Sequence, residues 1–372
     1  MIYSNFQDIK ISSLGMGCMR LPVVNGENSK IDMQATKEMI AYAMEKGINY
    51  YDTAGGYHSG MSEPVMGEIL SEYPRDSFFV ATKFPGYDQS LVGKVEEIFE
   101  RQLERLRMDY FDFYLFHNLC EGNIDAYLDP KLGIYDYLME QKRRGRIRHL
   151  GFSAHASLHT MKRFLEAYGK DMEFCQLQIN WFDWDFQNAR AKVELVQSYG
   201  IPIWVMEPVR GGSLATLAPE YEEKLRALRP DATMAEWAFR FVQSIDCVKV
   251  TLSGMSNFDQ LKENIETYSE SKPLSETEMA TVLEIAQDKI SRTALPCTSC
   301  RYCTDHCPQE LDIPAIIKLY NEHACSGAPV SLDAFDNGKR PSACIGCRSC
   351  EEVCPQNILI SEMMSELDRK LS

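Results

Sequence analysis

The first 290 residues alternate between two hydrophobic patterns. Short runs of branched and aromatic residues, typical of β-strands, are separated by longer segments with apolar residues every three or four positions, typical of amphipathic helices. Ala35, Met39, Ile40 and Ala43 show the helical period. A hairpin is predicted over Tyr3–Ile11. Eight strands are predicted after it, at Ser13–Gly17, Ile48–Asp52, Phe78–Lys83, Phe111–His117, His149–Ser153, Phe174–Asn180, Pro202–Glu207 and Cys247–Leu252.

Eight strand–helix units predict an α/β protein with a (β/α)8 TIM barrel over residues 1–290. A doubly wound sheet is the alternative, but no dinucleotide-binding loop supports it. The segment Gly15-Met16-Gly17-Cys18-Met19-Arg20 lacks the last glycine of G-x-G-x-x-G, and no helix follows it directly. A second, smaller domain is expected over residues 291–372.

Eight of the 13 cysteines form two copies of one spacing after residue 296. In each copy the four cysteines follow the pattern Cys-x2-Cys-x2-Cys-x3-Cys, and a proline comes directly after the fourth. This is the pattern of the thiolate ligands of paired [4Fe-4S] clusters. The alternative, two structural zinc sites, rarely has this triple spacing. Because the fourth cysteine of each run ligates the other cluster, we assign one cluster to Cys297, Cys300, Cys303 and Cys354, and the other to Cys344, Cys347, Cys350 and Cys307.

Composition narrows the choice of partners. A net charge of -15 argues against nucleic acid, which requires clustered cations. The apolar runs are short and no signal peptide begins the chain, so we expect a cytoplasmic protein that does not bind a membrane. One basic run, Lys142–Arg148, is interpreted as a solvated surface turn, with docking of an acidic redox partner as the alternative.

Polar residues end several of the predicted strands, and in a barrel these ends converge on one mouth. Asp52, Lys83 and His117 end three consecutive strands, and Tyr57 lies in the first of the loops that follow. We expect Lys83 to pair with Asp52 and to lower the pKa of Tyr57 from its usual value of about 10. His117 would then orient a substrate carbonyl or assist the proton step. The set predicts hydride addition to an aldehyde or ketone, with Tyr57 as proton donor.

Hydride transfer requires a cofactor, because side chains cannot supply hydride. Two loops are candidates for binding its phosphates: Pro208–Leu214 after the seventh strand, and Gly254–Asn264 after the eighth, which runs into a helix N-terminus. Free backbone N–H groups there favour an anion, although each loop is also consistent with an ordinary turn and helix cap.

At these residues the chain resembles the aldo/keto reductase superfamily over residues 1 to about 290. The motifs that carry the resemblance are Asp52-Thr53-Ala54 with Tyr57, Ala81-Thr82-Lys83, Asp112-x-Tyr114-Leu115-x-His117, Gly151-Phe152-Ser153, Gln178-x-Asn180 and Glu263-Asn264. The resemblance implies a TIM barrel, a nicotinamide cofactor at its mouth, and a tetrad of Asp52, Tyr57, Lys83 and His117. The cofactor contacts expected from it and from the loops are Gly17, Met19, Ser153, Gln178, Asn180, Met206, Pro208, Gly211, Gly212, Gly254, Ser256, Gln260, Glu263 and Asn264.

Two departures from the family pattern affect the cofactor. Met206 stands where many relatives stack a tyrosine on the nicotinamide. Gly254 and Gln260 align with the lysine and arginine of NADPH-preferring members, so two cations that would hold a 2'-phosphate are missing. We therefore expect NADH to bind at least as well as NADPH.

The C-terminal cysteine domain resembles helical ferredoxins with two [4Fe-4S] clusters, with helices expected at Ile313–Glu322 and Ile358–Leu371. The fusion resembles the iron-sulfur branch of the aldo/keto reductases. It implies an NAD(P)H-linked oxidoreductase acting on a small carbonyl or alcohol, with a ferredoxin or flavodoxin-like protein as redox partner. The alternative is an electron-transfer protein whose barrel binds a flavin or serves as a docking platform. A third interpretation is that the clusters are structural or regulatory beside an ordinary carbonyl reductase.

Overall fold

The computed structural model describes residues 1–88, 90–293, 295, 297, 302–326, 332, 335, 337–352, 354 and 358–371. The chain forms two compact units. The first consists of Met1–Asn180, Ala189–Thr216 and Arg229–Ser275, and the second of Trp181–Asn188, Leu217–Leu228 and Glu276–Ser372. No helix in the described ranges is long and apolar enough to cross a bilayer.

Eight parallel strands of the first unit close into a barrel, in the order β10-β3-β4-β5-β6-β7-β8-β9. The TIM barrel prediction is therefore confirmed, and the doubly wound alternative is wrong. The antiparallel hairpin consists of β1 (Tyr3–Phe6) and β2 (Ile9–Ser12). The barrel strands are β3 (Leu14–Gly17), β4 (Tyr50–Asp52), β5 (Phe79–Phe84), β6 (Phe111–Leu119), β7 (Ile147–Ala154), β8 (Phe174–Gln178), β9 (Ile203–Met206) and β10 (Val248–Ser253).

Helices follow the strands along the chain. In the first unit they are α1 (Met33–Glu45), α2 (Ser62–Leu70), α3 (Val95–Leu106), α4 (Ile124–Leu128), α5 (Ile134–Arg143), α6 (Leu158–Tyr168), α8 (Ala189–Ser198), α10 (Met234–Gln243) and α11 (Phe258–Thr267). In the second unit they are α7 (Asp183–Phe186), α9 (Pro219–Leu228), α12 (Glu276–Thr293), α13 (Tyr302–Asp305), α14 (Ile313–Ser326), α15 (Ser349–Glu352) and α16 (Ile360–Leu371). The amphipathic pattern of α3 illustrates why they form, since Ile98, Phe99, Leu103 and Leu106 on one stripe are buried.

An aromatic cluster fills the N-terminal end of the barrel. Phe6 from the hairpin lies edge-on to Trp204, with ring centroids 5.0 Å apart, and both pack against Phe113. Tyr50 and Phe174 complete the cluster. Burying each such ring stabilises the fold by roughly 1.5–3 kcal/mol. The hairpin thus covers the end of the barrel opposite to the C-terminal mouth.

Four of the five cations in the basic run Lys142–Arg148 form local ion pairs. Lys142 pairs with Glu173 at 2.9 Å and Arg146 with Glu100 at 2.6 Å, while Arg143 and Arg144 both pair with Glu140. The run lies at the end of α5 and the start of β7, on the side of the barrel away from the mouth.

Candidate active site

Lys83 is the most buried charged side chain at the mouth, with no exposed surface. Strand β5 places its ammonium 2.6 Å from Asp52 Oδ1 and 2.8 Å from the carbonyl oxygen of Thr53. The hydroxyl of Tyr57 is 3.4 Å from the same nitrogen. Burial opposes the charge, yet Asp52 and Tyr57 together raise the pKa of Lys83, so the ammonium stays charged. The predicted ion pair is therefore present in the structure.

Tyr57 lies in the loop after β4, five residues past Asp52, and the Lys83 ammonium is 5.0 Å from the centroid of its ring. Burial raises the pKa of the phenol above its usual value, Lys83 offsets part of that rise, and Asp52 adds to it. The expectation that Lys83 lowers the pKa overall is not met, because desolvation of a phenolate outweighs one nearby cation. Tyr57 is therefore a protonated phenol at neutral pH.

His117 lies near the C-terminal end of β6, and it lines the same cavity as Tyr57. Its ring lies edge-on between two phenols, 6.1 Å from the Tyr57 centroid and 5.1 Å from that of Tyr87. Burial, with the charges of Lys83 and His155, holds the pKa of His117 well below its usual value. The imidazole is neutral at pH 7, and its Nδ1 has no hydrogen-bond partner among the described residues. A neutral imidazole can donate one hydrogen bond to a substrate oxygen.

A second buried carboxylate supports the site and was missed in the sequence. Glu63, at the start of α2, has no exposed surface and accepts hydrogen bonds from Thr82 at 2.7 Å and Gln102 at 2.8 Å. Gln102 also donates to the carbonyl oxygen of Lys83 at 3.0 Å. This network holds the backbone of Lys83 in place. The sequence signal that could have revealed Glu63 is an acidic residue on an otherwise apolar helix face.

A cavity of about 920 Å³ opens at the mouth, with Asp52, Tyr57 and His117 in its wall. Its size is near the upper end for cofactor and ligand pockets. Twelve of the fourteen expected cofactor contacts line it: Gly17, Met19, Ser153, Met206, Pro208, Gly211, Gly212, Gly254, Ser256, Gln260, Glu263 and Asn264. The structure thus brings the tetrad and both phosphate-loop candidates into one space.

The other two expected contacts lie elsewhere. Neither Gln178 nor Asn180, both within the described part of the chain, lines this cavity, and Gln176 takes the place that we expected of Gln178. The reason is register, because β7 and β8 pair Ser153 with Gln176, which sets these two polar side chains at the same level. Asn180 is fully buried, and its amide donates to the carbonyl oxygen of Glu207 at 3.0 Å.

His155 and Glu207, which follow or end predicted strands, also line the cavity as expected of polar residues at strand ends. Among the lining residues that were not predicted are Arg20, Tyr87, Asn118 and Gln176. A Cβ built on Gly254 would lie 3.0–3.1 Å from the aliphatic stem of Arg20, so the absence of a side chain at position 254 makes room for the arginine. Glu207 has a φ of 57° directly before a proline, a left-handed conformation that is rare for glutamate. The sequence gives no signal for these placements, because they depend on loop conformations.

The end of the cavity at which we expect the adenine of the cofactor is formed by α11 and its N-cap residue. Asn257 caps the helix by accepting from the Gln260 N–H at 3.0 Å, while the Gln260 side chain accepts from the Ser256 N–H at 2.8 Å. Asn264 donates to the Ser253 hydroxyl at 3.0 Å, and Glu263 accepts a short hydrogen bond from a threonine hydroxyl. Besides Arg20, whose stem packs against Gly254, this end therefore presents neutral amides and one carboxylate.

The second unit contains the cysteine site. Cys307, Cys344, Cys347 and Cys350, the four ligands assigned to one cluster, line one small cavity. Burial raises the pKa of Cys350 to about 11, and the neighbouring Glu351 and thiols add to the rise. The four thiols share the wall of this cavity, but among the described residues no three His, Cys, Asp or Glu side chains are arranged to hold a single metal ion. A cluster bound here would hold the cysteines as thiolates through its positive charge.

The remaining cysteines of the assignment are only partly described. Cys303 is buried in an apolar core with Leu311, Ile316 and Leu367, and Cys297 and Cys354 pack against that core. Cys300 lies outside the described residues. The helices expected in this region correspond to α14 and α16.

A barrel with a buried Lys–Asp pair, a phenol and a neutral imidazole at its mouth defines an oxidoreductase-type site. The aldo/keto reductase family model matches residues 13–287, and a 4Fe-4S dicluster domain model matches residues 296–359. The chain belongs to the aldo/keto reductase family and carries a 4Fe-4S dicluster domain.

Three relatives indicate how far the similarity extends. An uncharacterized oxidoreductase, YqkF of Bacillus subtilis, is 24% identical over 73% of this chain and 92% of its own length. The NADH-specific methylglyoxal reductase of Escherichia coli is 29% identical over 58% of this chain and 69% of its own length. The solved holo form of aldo-keto reductase AKR11C1 from Bacillus halodurans is 26% identical, with a TM-score of 0.63, covering 77% of this chain and 96% of that one.

Proposed function

We propose that the barrel catalyses reversible hydride transfer between a nicotinamide dinucleotide and a small carbonyl or alcohol. The observation that carries the proposal is the buried Lys83 ammonium, held at 2.6 Å from Asp52 and 3.4 Å from the Tyr57 hydroxyl, because both of these partners line the large cavity. The dinucleotide, when bound, supplies the hydride. Gly17, Ser153 and the loop glycines around 211 and 254 would hold it.

The chain's own residues supply the proton. Tyr57 gives its hydroxyl proton to the oxygen of the reduced carbonyl, because its raised pKa keeps it protonated until that oxygen becomes basic. Lys83 stabilises the phenolate that remains, and Asp52 keeps Lys83 charged. His117, neutral and edge-on to Tyr57, donates a hydrogen bond that orients the carbonyl.

The clusters, when bound, pass electrons one at a time, whereas hydride carries two. We propose that the clusters of the cysteine domain exchange their single electrons with a ferredoxin or flavodoxin-like partner. A second candidate function, electron transfer through a flavin in the barrel, is favoured by Met206, since the cavity has no aromatic residue at this position to stack on a nicotinamide.

NADH is the proposed preferred cofactor. The adenine end presents the amides of Gln260 and Asn264 and the carboxylate of Glu263, and a carboxylate repels a 2'-phosphate. Gly254 cannot be replaced by the lysine of NADPH-preferring members without displacing the stem of Arg20. The Escherichia coli relative described as NADH-specific is in line with this proposal.

The function is tested by anaerobic spectroscopy of the purified protein with NADH and a panel of small aldehydes and ketones. Carbonyl-dependent NADH oxidation that is lost in Tyr57→Phe, with dinucleotide binding retained, supports the proposal. A flavin absorption band in the purified protein, with no carbonyl reduced, supports the second candidate. Full turnover in Tyr57→Phe excludes Tyr57 as the proton donor.

A further inference from the structure

His58 follows the phenol of the site directly and has an unusual backbone. It is only 3% exposed, and its φ of 52° places it in the left-handed region, where glycine is the usual residue. Ser59 and Gly60, with φ of 56° and 90°, continue this conformation. Non-glycine residues persist there only when the surroundings hold them, and such strain concentrates at functional sites.

The His58 imidazole bonds to two backbone groups that fix its protonation. The Leu21 N–H donates to Nε2 at 3.1 Å, and Nδ1 lies 2.8 Å from the carbonyl oxygen of Asn28. An amide N–H can only donate and a carbonyl oxygen can only accept, so Nε2 is unprotonated and Nδ1 carries the proton. His58 is therefore a neutral imidazole in a single tautomer.

These two bonds join the Tyr57 loop to two other segments. Leu21 follows Arg20, which lines the large cavity, and Asn28 lies in a turn closed by the Val24 N–H donating to the Lys30 carbonyl at 2.8 Å. The loop that carries the phenol is thus tied to backbone beside the proposed cofactor cleft.

We propose that neutral His58 is a positioning residue that aims the Tyr57 phenol at Lys83. The proposal rests on Tyr57 being the proton donor of the proposed function. His58 is not among the described residues that line the cavity, so we assign it a positioning role and not a catalytic one. It acts by holding a left-handed turn that would otherwise relax and swing the adjacent phenol away from the ammonium.

The first test needs no turnover. In 15N-histidine spectra of the full chain, His58 is expected to show a protonated Nδ1, an unprotonated Nε2 and slow exchange with water. A His58 protonated at Nε2, or exchanging freely, overturns the assignment of both bonds. With 13C-labelled tyrosine, the Tyr57 resonance is expected to move in His58→Gly, and an unmoved resonance overturns the positioning role. If the wild type reduces no carbonyl, the proposed function fails, while these spectra still decide the role of His58.

The second test separates positioning from a merely structural role. His58→Gly keeps the turn without strain and removes both bonds, and kcat is expected to fall about 10- to 100-fold. The dinucleotide Kd is expected to stay within about threefold, because the Arg20 carbonyl keeps its separate bond from the Ser256 hydroxyl at 3.0 Å. Unchanged kcat overturns the proposal, as does an equal loss of kcat and dinucleotide binding.

Two conservative variants restore one bond each. His58→Gln places an acceptor near the Nε2 position for the Leu21 N–H, and His58→Asn places a donor near the Nδ1 position for the Asn28 carbonyl. Each is expected to recover about three- to tenfold of the kcat lost in His58→Gly. If neither variant has a higher kcat than His58→Gly, the two hydrogen bonds are not what positions Tyr57.

Discussion

The Lys83 ammonium lies 2.6 Å from the Asp52 carboxylate and neither side chain reaches solvent, with exposures of 0% and 3%. Burying two charges is costly, and the pair is stable only because each satisfies the other. The remaining Asp52 oxygen has no hydrogen-bond partner among the described residues. The pair is thus sensitive to the loss of either member.

Lys83→Met is expected to abolish carbonyl reduction and to lower the free energy of unfolding by about 3–5 kcal/mol, because it leaves Asp52 buried and unpaired. Denaturant unfolding and steady-state kinetics measure the two effects. The double variant Lys83→Met/Asp52→Asn is the control, and it is expected to regain much of the stability but no activity. A Lys83→Met protein as stable as wild type would show that the pair is not buried.

The depressed pKa of His117 predicts a pH dependence of stability. Below its usual pKa of about 6.5, the unfolded chain binds a proton at this residue and the folded chain does not, so stability falls as the pH falls. The loss reaches about 1.4 kcal/mol per pH unit. Unfolding measured from pH 7 to pH 5 is expected to show a shallower decline in His117→Gln than in wild type. Parallel curves would mean that His117 titrates normally.

Gln260→Arg is expected to tighten NADPH binding about tenfold and to leave NADH binding within about twofold, because it adds a cation for a 2'-phosphate. Fluorescence titration with both dinucleotides measures the change. Lys262→Gln is the matched control, since the Lys262 ammonium already lies over the Phe258 ring at 5.2 Å. Markedly tighter NADPH binding by the wild type would contradict the proposed NADH preference.

Cys350→Ala is expected to lower the iron content from about eight to about four atoms per chain, since it removes a ligand of only one cluster. Iron and sulfide analysis after anaerobic purification measures the change. Cys247→Ala, a half-buried cysteine in the barrel unit, is the control and is expected to keep the full content. Full iron in Cys350→Ala would overturn the ligand assignment.

Hydrophobic periodicity was sufficient to predict the barrel, because the strands and helices of this fold have regular, local sequence patterns. Strand ends shifted by one or a few residues, as where β6 continues past His117 to Leu119, since side-chain packing rather than propensity sets the last hydrogen bond of a strand. The proposed tetrad residues and the cysteine spacings could equally be recognised in the sequence, because the chemistry proposed for them depends on residue type and local spacing.

Tertiary structure alone decided the rest. The choice of Gln176 over Gln178 depends on the register between β7 and β8, and the room for Arg20 depends on a glycine 234 positions later in the chain. Whether the pKa of Tyr57 is raised or lowered depends on how completely the phenol is desolvated, and no sequence motif shows this. The sequence by itself determined the fold and the reactive groups, whereas burial, register and left-handed turns such as that at His58 determined how those groups meet.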